Sequence, residues 1–149
     1  MKALRVVYGI VGFFFVSAAM GAELEFLNKS GALAGDYPFS EAVRVGDMLY
    51  LSGQIGTSPG SSELVDGGIR AEAKQTLENI RAVLVANNLN LDDVAKCTVM
   101  LADIGEWPAF NAVYREFFEA PYPARSAFGT VGLALGARVE VECWAVFGD

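Results

Sequence analysis

Segments with the hydrophobic pattern of a strand alternate along the chain with segments that have the hydrophobic spacing of a helix. The order of these segments is the strongest constraint on the fold. Residues 41–45 and 48–54 are short runs rich in aliphatic, β-branched and aromatic side chains, and Gly46-Asp47 between them is a two-residue turn typical of hairpins. Residues 69–86 change to the helical period, with apolar residues three or four positions apart. The sequence therefore predicts a β-hairpin followed by an amphipathic helix.

The same alternation continues to the C-terminal end. Residues 94–102 predict a strand, residues 107–118 a second helix, and residues 126–131 and 137–147 two consecutive strands with a glycine-containing connection. A further short strand is predicted at residues 24–27. This order indicates an α+β fold with one sheet and both helices on a single face of it. The other face would expose more apolar surface than soluble monomers usually carry, so we expect an oligomer.

The composition excludes several classes of function. The chain has 149 residues, enough for one domain with a core, and a formal charge of −7 from 11 basic and 18 acidic residues. An acidic chain lacks the positive surface that nucleic-acid binding requires. The absence of His from the sequence excludes every His-based triad or metal site. A small molecule or another protein remains as the expected partner.

Two cysteines, Cys97 and Cys143, both fall in predicted strands. Their spacing is not that of a zinc site or of a Cys-x-x-Cys redox motif. They can form a disulfide if the two strands are neighbours, and buried free thiols are the alternative. The sequence leaves both alternatives open.

Residues 1–22 have the organisation of a secretory signal peptide. A basic start precedes residues 6–20, a run of 15 mostly apolar residues, and small residues around Gly21 suit cleavage. The run is shorter than the roughly 20 residues needed to span a bilayer, and an uncleaved membrane anchor is the alternative. We therefore expect an exported protein, periplasmic or secreted, with residues 23–149 as its domain. Contact with a membrane is expected only if the segment stays uncleaved.

The two C-terminal strand segments carry charges that a buried strand does not need. Arg125 stands at the entrance of the first, and Glu140 lies between two valines of the second. A guanidinium is a fixed fork suited to a carboxylate, and a carboxylate among apolar residues is costly without a partner or a task. The pair indicates a site for a small anionic ligand, and a structural ion pair on a solvated sheet face is the alternative. Asn111, on the shoulder of the second helix, is either a site amide or a surface amide.

Seven separated motifs carry a family resemblance. They are Phe39-Ser-Glu-Ala-Val43, Leu49-Tyr-Leu-Ser-Gly-Gln-Ile55, Gln75 to Ile80, Asn111-Ala-Val-Tyr114, Pro123-Ala-Arg-Ser126, Leu133 to Gly136 and Val139-Glu-Val-Glu142. In this order, over about residues 33–147, they resemble the YjgF/RidA family of reactive intermediate (imine) deaminases, in the endoribonuclease L-PSP-like superfamily. The resemblance implies a chorismate-mutase-like α+β fold and a homotrimer with sites in the clefts between subunits. It implies no metal and no organic cofactor.

The resemblance also implies roles for individual residues. Arg125 matches the arginine that grips the substrate carboxylate, and Glu140 matches the glutamate that positions or activates the attacking water. Asn111 matches a site asparagine, and the backbone around Ser52 and Gly53 matches a segment that lines the cleft. Each is therefore a candidate site residue.

Two positions depart from the family pattern. Phe39 stands where deaminases of the family generally have a tyrosine, and Ala127 stands where some members have a cysteine. Tyr37, two residues before Phe39, is the nearby tyrosine whose hydroxyl is the candidate replacement. The implied reaction is hydrolysis of a 2-imino acid or its enamine tautomer, such as 2-iminobutanoate or 2-iminopropanoate, to a 2-keto acid and ammonia. The alternatives are a non-catalytic binder of small carboxylates and a chaperone-like protein of the same fold.

Overall fold

The computed structural model describes residue 21, residues 23–31 and residues 37–148. The described residues form seven strands and two α-helices, which confirms the predicted α+β class. In chain order these are β1 (Leu24–Leu27), β2 (Ala42–Val45), β3 (Met48–Leu51), β4 (Gln54–Ile55), α1 (Gly68–Ala86), β5 (Val94–Leu101), α2 (Trp107–Phe117), β6 (Ala124–Gly129) and β7 (Val139–Val146).

The strands form one mixed sheet in the order β1-β2-β3-β7-β5-β6, with β4 paired to β7 beyond the end of β3. Strands β5 and β6 are parallel, and the other pairs are antiparallel. The parallel pair needs a crossover connection, and α2 lies within it. Although β6 and β7 follow each other in the sequence, β5 separates them in the sheet.

The second strand of the predicted hairpin is interrupted, which corrects the prediction of one strand over residues 48–54. The turn itself is confirmed, with a φ of 58° at Gly46. After Leu51, however, the Ser52 N–H donates to the Glu41 carbonyl, and the Ser52 hydroxyl donates to the Ser40 carbonyl. The pairing with β7 is interrupted at Ser52 and Gly53, and it resumes at Gln54–Ile55 with a register shifted by one residue.

Both helices pack on one face of the sheet, as predicted. Alternate residues of β5 and β7 point toward them, and α1 contributes an apolar stripe at helical spacing. The helix and strand residues that are almost completely buried there are Leu77, Ile80, Leu84, Phe110, Val99, Leu101, Val139 and Val141. The end of α1 also follows the prediction, because Asn88 after the helix adopts a left-handed φ of 61°.

The opposite face of the sheet is uncovered in the single chain. The strand register places Tyr50, Trp144, Met100 and Phe128 on this open face, and Tyr50 and Trp144 make an edge-to-face contact with 5.3 Å between ring centroids. Phe128 is 48 % exposed. The open face therefore combines large apolar side chains with solvent exposure, as the sequence predicted.

Cys97 and Cys143 lie directly opposite each other on β5 and β7 and form a disulfide. Both residues are buried. The structure thus selects the disulfide over the free thiols.

The predicted signal segment lies outside the described residues, apart from Gly21. In the described part of the chain, neither helix is long and apolar enough to cross a membrane.

Candidate functional site

Arg125 is the second residue of β6, and its guanidinium is held by one face of α2. The guanidinium carbon lies 4.5 Å from the ring centroid of Tyr114 and 4.9 Å from that of Trp107. Its Nη2 donates to Oδ1 of Asn111 over 2.8 Å. Trp107, Asn111 and Tyr114 recur at spacings of four and three, so the helix presents them on one side. The structure therefore brings two of the candidate site residues, Arg125 and Asn111, into direct contact.

Arg125 lines a first cavity, which has a volume of about 330 Å³ and is suited to an anion. It is lined by Asn111, Tyr114, Arg115, Tyr122, Pro123 and Arg125. The lining contains two guanidinium groups and no carboxylate, and Arg125 forms no ion pair within the described ranges. Because no acidic side chain neutralises it, this cavity favours a negatively charged ligand.

Tyr114 contributes a buried hydroxyl to the first cavity. The residue is 4 % exposed, and its hydroxyl has no hydrogen-bond partner among the described residues. Burial raises the pKa of this hydroxyl, and the positive charge of Arg125 opposes the rise. The phenol therefore stays protonated, while its ring faces the guanidinium of Arg125.

Glu140, on β7, lies against the backbone of Gly53. A Cβ added at Gly53 would overlap with Oε1 of Glu140 and lie 2.9 Å from its carboxyl carbon. Within the described part of the chain, the carboxylate has no hydrogen-bond or ion-pair partner. Burial raises the pKa of the Glu140 carboxyl, and the negative charge of Glu142 adds to the rise. A carboxylate that has no bonding partner and a raised pKa is a suitable proton acceptor.

Glu140 faces a second cavity of about 290 Å³ with a largely apolar wall. Tyr37, Phe39, Ile55 and Leu135 line it together with Glu140. The rings of Tyr37 and Phe39 stack with 5.2 Å between their centroids. The aromatic ring of Phe39 and the nearby Tyr37 thus both line the cavity that Glu140 faces.

Arg125 and Glu140 do not meet within one chain. Arg125 is opposite Cys97 on β5, and Glu140 is opposite Met100, three positions further along the same strand. Side chains alternate between the faces of a sheet, so an odd offset puts the two charges on opposite faces. The ion pair considered from the sequence is therefore not formed.

The remaining candidate residues divide between the cavities and the core. Gly53 lines the second cavity. Ser52 precedes it, with its hydroxyl already bonded to the Ser40 carbonyl. Ala127 pairs with Val99 and packs against the core, so it lines neither cavity. Position 127, where some members of the family have a cysteine, is therefore a packing position in this chain.

Several residues of the two cavities were not predicted. Tyr114 lines the first cavity and shares the helix face of Asn111, and that spacing was a usable signal. Trp107, on the same face, lines neither cavity but contacts the Arg125 guanidinium. Leu135 adopts a left-handed φ of 57°, which is unusual for a residue that is neither glycine nor asparagine. Nothing in the sequence around Leu135 indicates that conformation. Among the described residues, no cluster of three acidic or cysteine side chains is placed to hold a metal ion.

Comparison with known proteins identifies the family. The family model described as Endoribonuclease L-PSP matches residues 30–147, so the chain belongs to that family. The resemblance read from the sequence motifs is thereby confirmed.

Similar proteins cover most of this chain. A protein of Capra hircus named 2-iminobutanoate/2-iminopropanoate deaminase is 46 % identical over 122 residues, or 82 % of this chain and 89 % of the relative. A protein of Bos taurus with the same name is 42 % identical over 124 residues, covering 83 % and 90 %. The crystal structure of RidA from an Antarctic Psychrobacter species has a TM-score of 0.78 and 36 % identity, covering 83 % and 99 %.

Proposed function

We propose that the protein hydrolyses 2-imino acids or their enamine tautomers, such as 2-iminobutanoate and 2-iminopropanoate, to 2-keto acids and ammonia. The observation that carries the proposal is the presence of two unpaired charges, the Arg125 guanidinium and the Glu140 carboxylate, each facing a cavity. The names of the similar Capra hircus and Bos taurus proteins support the same activity.

The proposed chemistry uses these two groups in complementary ways. Arg125 binds the substrate carboxylate through two parallel N–H donors, which fixes the imine carbon. Glu140 takes a proton from a water molecule, whose oxygen forms a bond to the C2 carbon while the C=N π bond moves to nitrogen. Glu140 then gives this proton to the nitrogen, and the C–N bond breaks to release ammonia. As that bond breaks, the hydroxyl group on C2 loses its remaining proton to Glu140, and the C–O bond becomes the C=O bond of the ketone. The reaction requires no metal or organic cofactor, because the protonated imine carbon is already electrophilic.

The site requires two copies of the chain. Arg125 and Glu140 face opposite sides of one sheet, so a substrate of a few heavy atoms cannot bridge them within one copy. We infer that Arg125 of one copy meets Glu140 of another, and a head-to-tail contact of this kind can close into a ring. The apolar open face, with Tyr50, Trp144 and Phe128, provides a surface for this contact. We propose the homotrimer that the family resemblance implies.

The other site residues have supporting roles. Asn111 orients Arg125 through its Oδ1, and Gly53 leaves room for the Glu140 carboxylate. Phe39 provides an apolar wall in place of a hydroxyl, and Tyr37 brings a phenol to the same cavity. We assign Tyr37 the hydrogen-bonding role that Phe39 lacks. Ser52 shapes the cleft through its backbone.

The decisive test combines two inactive variants. Imines are generated by an amino-acid oxidase and trapped with semicarbazide, so hydrolysis appears as a slower formation of the semicarbazone. Arg125→Ala and Glu140→Gln should each lose activity, whereas Arg70→Ala and Glu116→Gln, at exposed helix positions, should retain it. The two inactive variants are then unfolded and refolded together in equal amounts. Each site takes its arginine from one copy and its glutamate from the neighbouring copy, so one site in four has both intact groups. Activity should return to about one quarter of wild type.

The same experiment separates the alternatives. No recovery on mixing, with both single variants inactive, would reject the shared site. If wild type binds 2-keto acids through Arg125 but does not change semicarbazone formation, the non-catalytic carboxylate binder replaces the enzyme. The missing hydroxyl at Phe39 is the observation that favours this second function. A chaperone-like role is favoured if Arg125→Ala changes neither binding nor turnover.

We also propose that residues 1–22 direct export and that residues 23–149 form the mature domain, periplasmic or secreted. The buried Cys97–Cys143 disulfide supports this proposal, because such bonds persist in oxidising compartments. The intact mass of protein recovered from a periplasmic extract tests it. A chain that begins after Gly21 or Ala22 is expected, and full-length protein in the membrane fraction would favour the uncleaved anchor.

A further inference from the structure

We propose that the first cavity also binds a phosphate group, as inorganic phosphate or a small phosphate monoester, and that this anion competes with the substrate for Arg125. The inference rests on the proposed function where it concerns competition, because both ligands use the same guanidinium. It goes beyond that function by assigning a second class of ligand to the cavity. It also assigns a role to Arg115, which the proposed deamination does not use.

The first cavity has more positive charge than one substrate carboxylate needs. A monocarboxylate carries one negative charge, and the fork of Arg125 can bind both of its oxygens. Arg115 lines the same cavity with a second guanidinium, which is always charged. Arg115 forms no ion pair with any residue that the structure describes. Two positive charges are therefore available to one ligand, and a phosphate group carries about −1.5 to −2 at pH 7.

Helix α2 places Arg115 next to the residue that holds Arg125. Asn111 accepts a hydrogen bond from Nη2 of Arg125, and Arg115 is four positions after Asn111 in the same helix. Residues four apart are neighbours on a helix surface, with about 5 to 6 Å between their Cβ atoms. The cavity therefore lies between this row of α2 and the start of β6, and each element contributes one arginine.

The polar side chains of the lining are mainly hydrogen-bond donors. Arg125 has several N–H groups besides the one that Asn111 accepts, and Arg115 has a complete fork. The bond to Arg125 occupies Oδ1 of Asn111, so the amide Nδ2 of Asn111 remains as a donor. Tyr122 adds a hydroxyl and is 52 % exposed. A phosphate group has at least three strong acceptor oxygens, whereas a carboxylate has two, so phosphate can use more of these donors at once.

No carboxylate is found among the described residues of this lining, although the chain is acidic. The sequence has 18 acidic and 11 basic residues. Glu116 follows Arg115 directly, and consecutive residues of a helix do not face each other. Glu119, the next carboxylate in the sequence, lines a different cavity together with Arg81. The two guanidinium groups of the first cavity therefore keep their charge for an external anion.

Calorimetry tests the binding of phosphate directly. Inorganic phosphate, glycerol 3-phosphate and the stable product 2-ketobutanoate are titrated into the full protein at constant ionic strength, which is maintained with sodium chloride. Binding of either phosphate compound supports the inference, and the tighter of the two identifies the source of the group. Arg115→Gln should weaken phosphate binding by roughly three- to tenfold, because a charged donor at an exposed position is lost. It should weaken 2-ketobutanoate by less than about twofold.

Arg70→Gln is the matched control, because it removes the same charge from an exposed helix position outside the lining of the cavity. It should leave the ratio of phosphate affinity to 2-ketobutanoate affinity unchanged, whereas Arg115→Gln should lower it. Arg115→Lys keeps the charge and loses the fork, so it should restore part of the ratio. Absence of phosphate binding, or an equal change of the ratio in Arg115→Gln and Arg70→Gln, would overturn the assignment.

A kinetic measurement separates failure of this inference from failure of the proposed function. In the semicarbazide assay, with the oxidase in excess, phosphate should raise KM for the imine without changing kcat. Hydrolysis that phosphate does not affect would overturn the inference and leave the deaminase activity intact. Phosphate binding that depends on Arg115 and is displaced by 2-ketobutanoate, without any hydrolysis, would support the inference and remove the enzyme. Absence of both phosphate binding and hydrolysis would overturn both proposals.

Discussion

The contact between Gly53 and Glu140 provides a test of whether the position of the carboxylate matters. Gly53→Ala introduces one methyl group whose carbon would overlap with Oε1 of Glu140 and lie 2.9 Å from the carboxyl carbon. Carbon atoms in contact are normally about 3.5 to 4.0 Å apart. The carboxylate must therefore move by about 1 Å or more. The substitution changes no charge and removes no hydrogen-bonding group.

The expected effect on activity is large, and the effect on stability is small. A displacement of about 1 Å at a reacting group can cost on the order of 100-fold in rate, which corresponds to about 2.7 kcal/mol in the activation barrier. The backbone at Gly53 has no left-handed φ, and the group that must move is the end of a flexible side chain. The free energy of unfolding should consequently change by less than about 1 kcal/mol.

Two other glycine substitutions are matched controls. At Gly56 an added Cβ would lie 2.7 Å from the backbone Cα of Glu72, which cannot yield as a side chain does, so Gly56→Ala should destabilise by about 1 to 3 kcal/mol or more. At Gly132 nothing lies within 4 Å, so Gly132→Ala should change neither quantity. Imine hydrolysis and urea unfolding are measured on all three variants.

A double-mutant cycle attributes the loss to Glu140. In the Glu140→Gln background, Gly53→Ala should cost little further activity, because the group that it displaces is already inactive. Full activity of Gly53→Ala in a folded protein would refute the assignment of Glu140 as the proton acceptor. An equal loss in both backgrounds would place the effect elsewhere in the cavity.

Three further predictions concern charge and the disulfide. Arg125→Lys should raise KM by roughly ten- to a hundredfold, because a lysine loses the bidentate fork and the stacking on Tyr114; an unchanged KM would contradict carboxylate binding there. Since burial raises the pKa of Glu140, ionisation costs stability as the pH rises through that pKa. Glu140→Gln should therefore melt above wild type at about pH 7, and the difference should vanish below the ordinary value of 4.5; a variant that melts lower at neutral pH would contradict this sign. Replacing Cys97 and Cys143 by alanine opens a cross-link with a sequence separation of 46 and should lower the free energy of unfolding by about 2 to 4 kcal/mol, with an unchanged urea midpoint as the opposing result.

The elements with strong periodicity were predictable from the sequence. The helix predicted over residues 69–86 is Gly68–Ala86, and the one predicted over residues 107–118 is Trp107–Phe117. Their boundaries follow from local signals, namely the apolar stripe, the asparagines at one end and Pro108 at the other start. These signals can be recognised in the sequence without knowing which residues the helix packs against.

The strand boundaries around the site depended on partners distant in sequence. Strand β6 begins at Ala124 instead of residue 126, because Ala124 and Arg125 pair with Lys96 and Cys97 of β5. Likewise, the break after Leu51 coincides with a one-residue shift in the register against β7, a strand that is distant in the sequence. The local sequence pattern contains no information about the start of β6 or about the break after Leu51.

The sequence indicates individual candidate residues for the site. It does not indicate how these residues are arranged on the two faces of the sheet. The sequence indicates which strand holds each charge, yet the face depends on the register of both strands against β5. A shift of one residue in either pairing would have brought Arg125 and Glu140 to the same face. Their separation is therefore a property of the assembled sheet.

The arginines of the fold differ in a way that supports a binding role for Arg125. Arg81 is paired with Glu78 at 2.9 Å, and Arg138 is bonded to Glu106. Arg125, by comparison, is held by aromatic rings and by the neutral amide of Asn111. Neutral groups fix the position of a guanidinium without neutralising it, so its charge stays available to a ligand.

The same reasoning links catalysis to assembly. Glu140 and the apolar side chains Trp144 and Phe128 share the open face, whereas Arg125 lies on the helix side. In the proposed assembly, another copy would cover the open face, bring Glu140 into an interface and reduce its contact with water. That step would raise the pKa of Glu140 further and strengthen its attraction to the Arg125-bound substrate, because charges interact more strongly where water is excluded. A chain that cannot assemble should then lose hydrolysis while its isolated fold remains intact.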